Sequence, residues 1–160
     1  MSPYKTDTIE QHGETYLVEW FYDHDAGAPW ENGDGHGVVT DWERRDKRPG
    51  EFILNEDRGS KRFYDFQATM AIAKRDGWNT APYDWPTKGA QAQAAVMADY
   101  EYLRRWCNDQ WHYCGIAVTR LEDGKKTDDT SSLWCIEDEC SDGYHATVIQ
   151  DLIGDVCHNT

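Results

Sequence analysis

Between Asp7 and Glu43 the chain has no lysine and no arginine, while ten Asp and Glu fall in that span. Positive charge is scarce throughout: 16 Lys and Arg face 30 Asp and Glu, a net charge of -14. A field of that sign repels nucleic acid and anionic membranes, which excludes direct DNA binding driven by phosphate contacts. No apolar run approaches the ~20 residues of a bilayer span. MSPYKTDTIEQHGE contains no apolar signal-peptide segment, so a cytoplasmic location is expected. The five cysteines (Cys107, Cys114, Cys135, Cys140, Cys157) are odd in number and lack CxxC spacing. That argues for free thiols rather than a disulfide framework or a zinc ribbon. HExxH, GxSxG, a Walker loop and a dinucleotide fingerprint are all missing, and no cofactor is called for. Aliphatic residues are also thin, with Ile, Leu, Val and Phe totalling 24 of 160. Fewer than about 20% with high charge is a mark of disorder. Eight Trp and nine Tyr outweigh it, because disordered chains are poor in aromatics and each large ring buries about 150–250 Å². The composition describes one folded domain over residues 1–160 with an aromatic-rich core.

The charge is segregated along the chain. Residues 7–43 balance at -10, 44–62 at +3, 63–120 at zero and 121–160 at -8. ERRDKRPGEF and EDRGSKRF form the one basic segment. Between acidic flanks, its expected role is to pair with the protein's own carboxylates, with a small guide-RNA contact as the other reading.

Periodicity gives a coarse layout. ETYLVEWFYD (14–23) alternates as a strand, with Tyr16, Val18, Trp20 and Tyr22 on one face. VVTDWERR (38–45) reads as its hairpin partner across a long loop, and EFILN (51–55) as a short third strand. Phe63, Phe66, Met70 and Ala73 predict a helix over 64–76, ended by Gly77. A longer helix is predicted over 89–107, with Val96, Tyr100, Leu103 and Cys107 inward. WHYCGIAVTRL (111–121) and SSLWCIE (131–137) read as a hairpin around the turn EDGKKTDDT. A last helix is predicted over 143–157, with Ile149, Ile153 and Val156 inward. The order β-β-(β)-α-α-β-β-α predicts an α+β fold: an antiparallel sheet of four to five strands with about three helices packed on it.

At FYDFQATMAIAKRDGW, LRRWCNDQWHYCGIAV and SLWCIED the chain resembles a family of small acidic phage and prophage proteins, over most of residues 16–137. The family's form has Gly where this chain has Cys135, which weakens a metal or redox role for that thiol. The resemblance transfers no catalytic residues. It implies a setting, a mobile element on which small acidic proteins often disable host defence, as anti-CRISPR or anti-restriction proteins do.

Three constellations carry possible chemistry. In DHDAGAPWENGDGHG, His24, Asp25, Asp34 and His36 are sensible ligands for zinc, manganese or iron. The calcium-loop pattern fails there, because Ala28 stands at the position that requires Gly. A solvated turn anchored by Trp30, or an acidic face turned to a partner, are the other readings of that loop. His112 and Cys114 alternate on one strand, with Cys135 across the hairpin, so a Cys-His pair for nucleophilic catalysis competes with plain core packing. Finally, carboxylates two residues apart on a strand repeat at about 6.5–7 Å, close to a phosphate-to-phosphate step of DNA. Glu19, Asp23, Asp25, Asp41 and Glu43 fit that spacing, and Glu31, Asp34, Asp123, Asp128 and Asp129 extend the acidic stretches. With Trp30 or Trp85 as aromatic anchors, these residues suggest a noncatalytic DNA mimic that blocks the basic groove of a host nucleic-acid-handling complex. A small metal- or Cys/His-dependent enzyme, and a structural or regulatory phage protein dimerising through its sheet edge, are the alternatives.

Overall fold

The computed structural model describes residues 1–33, 35–80, 85–139 and 143–158. In chain order the elements are β1 (Lys5–Gln11), β2 (Glu14–Tyr22), α1 (Pro29–Asn32), β3 (Val38–Glu43), β4 (Glu51–Asp57), β5 (Ser60–Asp65), α2 (Phe66–Asp76), α3 (Lys88–Cys107), β6 (Tyr113–Glu122), β7 (Lys125–Glu137) and α4 (Tyr144–His158). The class is α+β with antiparallel pairing throughout, as expected. Contacts gather the chain into two compact units, Met1–Ala26 with Trp111–Thr160, and Gly27–Gln110.

The strands divide between two sheets, β1-β2-β6-β7 in the first unit and β3-β5-β4 in the second. The expected hairpin between 14–23 and 38–45 does not form. β1 and β6 occupy both edges of β2, and β3 pairs with β5 instead. Three hairpins turn on the same device: His12-Gly13, Arg58-Gly59 and Asp123-Gly124 each place two residues at positive φ between paired strands. Both central residues of a type I′ turn need that conformation, and its twist suits antiparallel strands. Asp123-Gly124 alone therefore makes the last turn. KKTDDT, read as loop, is the start of a 13-residue strand.

In the first unit, Tyr16, Val18 and Trp20 of β2 share one sheet face with Cys114, Ile116 and Val118 of β6. Helix α4 covers that face with Val148, Ile149, Leu152, Ile153 and Val156, an i, i+1, i+4, i+5, i+8 stripe. Each such side chain contributes about 1.5–3 kcal/mol on full burial. Opposite Gly115, β7 carries one extra residue, and Cys135 takes up the bulge at φ 60. That is a left-handed conformation which glycine adopts without strain.

In the second unit, Leu54, Tyr64, Ala73, Ala92, Val96 and Leu103 form the core, with Phe52, Phe66, Met70 and Tyr100 packed against it. Phe63 belongs to β5, fully buried, and not to the helix stripe. Asp65 sets the boundary: its carboxylate accepts from Ala68 N at 2.9 Å, capping α2 at Phe66. Thr87 caps α3 through Ala90 N at 3.0 Å. Among the described residues no helix is long and apolar enough to cross a membrane.

Candidate functional site

The fold sorts the charge. The first unit holds sixteen Asp and Glu against four Lys and Arg, a balance of -12, and the second holds fourteen against twelve, or -2. In the second unit the basic segment is used internally. Arg45 clamps Glu51 with two parallel bonds of 2.8 and 2.9 Å and also reaches Glu43 at 2.5 Å. Arg62 bonds Asp41 at 2.7 Å, and Lys61 lies 3.8 Å from Asp46. The Arg45 guanidinium, with a backbone bond from Arg48, holds the Glu51 carboxyl down at about 2. The first unit has few cations and uses most of them: Arg120 pairs with Asp129 and Glu14, Lys126 with Glu19, and Lys5 sits over the Trp20 ring at 4.4 Å.

The acids singled out from sequence therefore fall into two groups. Glu19 is 7% exposed and bonded to Lys126 at 2.9 Å. Asp23 accepts from Asp25 N and Cys135 N, at 3.1 and 2.8 Å, and so ties the end of β2 to β7. Asp41, Glu43 and Asp129 are ion-paired, and Glu31 accepts from Ala28 N at 3.0 Å to start α1. By contrast, Asp25, Asp123 and Asp128 are exposed and make no ion pair among the described residues, and neighbouring Glu122 behaves alike. Glu122 and Asp123 stand at the tip of the β6–β7 hairpin, where Glu122 lies across from Lys125, and Asp128 follows a few residues along β7. Asp34 lies outside the described residues, as does the 140–142 part of EDECSD.

Trp30 is half-buried rather than presented. It meets Trp106 edge-on at 5.4 Å, and the two rings with Trp42 surround the Arg62 guanidinium at 4.4–5.5 Å. Trp85 is exposed.

The metal-ligand reading of the loop divides between units. His24 and Asp25 belong to the first, where His24 lies against Tyr22. His36 belongs to the second, where its Nδ1 meets Asp99 Oδ1 at 2.7 Å and its ring stacks on Tyr102. Asp99 also accepts from Gly37 N and the Tyr64 hydroxyl, each at 2.8 Å. Burial, then the Asp99 charge, hold that hydroxyl far above its ordinary range, so it remains a donor. Gly37 lies flat on the Tyr64 ring, where a Cβ would come within 2.5 Å of the hydroxyl oxygen. His36 and Gly37 thus dock their loop onto a partly buried carboxylate. Among the described residues no three His, Cys, Asp or Glu are grouped to hold a metal ion.

Cys114 is fully buried in the first core, facing the Tyr4 hydroxyl. His112 precedes β6. Its Nδ1 lies 3.0 Å from Tyr113 O and its Nε2 3.2 Å from Asp138, so both ring nitrogens are engaged away from that thiol. Tyr4 and Tyr22 enclose the imidazole. Cys135 is exposed, but burial and then the Asp23 charge push its thiol up, the reverse of what activates a nucleophile.

Comparison with protein-family models, with curated proteins and with solved structures returns no match to this chain.

Proposed function

We propose that this is a noncatalytic acidic binding protein of the phage-borne anti-defence kind, whose first unit engages the basic, DNA-contacting surface of a host nucleic-acid-handling complex such as a CRISPR effector or restriction enzyme. One observation carries the reading: a single unit holds -12 of the -14 net charge. Its anions outnumber its cations four to one, and in the β6–β7 hairpin Asp123 and Asp128 are exposed carboxylates that make no ion pair among the described residues. Such a field accelerates encounter with a cationic groove and excludes DNA from it by occupying the same groups. The resemblance to phage proteins implies the setting, a mobile element, in which such a partner would be met. An evenly spaced ladder along β2 has no part in this reading, because Glu19 is paired with Lys126 and Asp23, though paired with no cation among the described residues, is fixed by the backbone N–H groups of Asp25 and Cys135.

The test begins with capture from bacterial lysate and identification of what binds. Binding to the purified complex is then measured from about 50 to 500 mM salt, with and without duplex DNA. The expected result is affinity that falls steeply with salt and competes with DNA. A triple change, Glu122→Gln with Asp123→Asn and Asp128→Asn, is expected to weaken it on the order of tenfold. Binding that is insensitive to salt and coexists with bound DNA overturns the proposal.

A further inference from the structure

Trp134 on β7 is both exposed and fixed. Its ring lies over Gly115 of β6, where an added Cβ would fall 2.2–2.5 Å from Cε3, Cδ2 and Cζ3. Phe21 stacks beside it at 5.9 Å and 29°, and its Nε1–H donates to Ser132 Oγ at 3.2 Å. Three neighbours thus hold the indole, yet the residue is 40% exposed, so the ring face opposite Gly115 is turned outward. An aromatic side chain ordered in advance loses little rotamer freedom on binding, and tryptophan is prominent among interface anchors.

Its surroundings suggest what it binds. The next residue, Cys135, donates its N–H to Asp23 Oδ2 at 2.8 Å, which fixes a carboxylate at the backbone that follows Trp134. Elsewhere in this protein an aromatic face together with a carboxylate holds a guanidinium. Arg62 lies 4.4 Å from the Trp42 centroid while bonding Asp41 at 2.7 Å, and Arg45 lies 4.0 Å from Phe63 while bonding Glu51. The ring quadrupole and the carboxylate both attract the cation, and the planar guanidinium stacks as an ammonium does not. We propose that the outward face of Trp134, on a unit of balance -12 and with Asp23 held at the adjoining backbone, is the docking point for an arginine side chain of a basic partner protein. This rests on the acidic-binding reading above and names the contact. A second copy of the chain is the poorer occupant, since it would bring two units of -12 together.

The probe is a synthetic hexa-arginine peptide, with hexa-lysine as comparison, titrated into the ¹⁵N-labelled full chain at about 20 mM salt. The Trp134 indole N–H resonance, assigned through Trp134→Phe, is expected to shift most among the eight tryptophans. Trp134→Ala is expected to weaken hexa-arginine on the order of fivefold and hexa-lysine less. Gly115→Ala keeps the tryptophan but displaces its ring, and is expected to act in the same direction. Hexa-arginine binding that leaves the Trp134 resonance still and is unchanged in Trp134→Ala overturns this inference while the acidic-unit reading stands. Failure of both peptides to bind at low salt overturns both.

Discussion

Replacing Glu51 with glutamine tests whether the second unit is held by its buried ion pair. Glu51 is 7% exposed and accepts two bonds from Arg45 and one from Arg48 N. Its carboxyl stands at about 2, against an ordinary 4.5. That difference corresponds to at most roughly 3 kcal/mol. Solvent screening at the rim, and the second carboxylate that Arg45 keeps in Glu43, bring the expected loss for Glu51→Gln to about 2 kcal/mol at pH 7. Because the folded-state value is depressed, this stabilisation is fully present above pH 4.5 and is lost as pH falls toward 2. Urea unfolding of wild type and Glu51→Gln at pH 7, 4, 3 and 2.5 should show a gap that narrows steadily below pH 4.5. The ¹³Cδ resonance of Glu51 should titrate near 2. A gap that holds constant across the window, or a midpoint near 4.5, refutes the reasoning.

Gly37→Ala forces a Cβ into the buried Tyr64 ring, so a loss of about 2 kcal/mol is expected in thermal unfolding; an unchanged melt would remove the loop-docking role of Gly37. Arg62→Ala should cost about 1–2 kcal/mol by emptying the three-tryptophan enclosure, with Arg62→Lys restoring less than half, read by urea unfolding. Cys135→Gly should stabilise the chain by about 1 kcal/mol by relieving the left-handed bulge at φ 60, and calorimetry showing a loss instead would mean that the thiol packs better than its backbone suggests.

Much of the fold was legible where one period dominated. Alternation in β2 and β6 and the stripe of α4 each pointed to the face that is buried. β1 escaped because KTDTIEQ is an edge strand with only Ile9 packed against the core; no apolar alternation marks it. β5 escaped because Phe63 lies three residues before Phe66 and completes a false helical stripe, although Asp65 is a readable capping residue. His-Gly and Arg-Gly make the same turn as Asp-Gly but are weaker signals than Asn-Gly or Asp-Gly. For the candidate site, the excess of negative charge was legible by counting. Which acids stay free was not, because that depends on register: Lys126 reaches Glu19 only across the β2-β6-β7 order. Likewise, His36 and Asp99 stand 63 positions apart.

The first sheet is assembled from two stretches of chain separated by the 84 residues of Gly27–Gln110. During translation β2 therefore emerges long before β6, its neighbour, and has only β1 to pair with. A solitary hairpin is marginal in water. At about 5–20 residues per second, Tyr16, Val18 and Trp20 wait roughly 7–27 s for the strand and helix that will cover them. The nascent chain thus trails a sticky ribbon behind the ribosome, and the carboxylates crowded along it supply the mutual repulsion that keeps neighbouring polysomal chains apart.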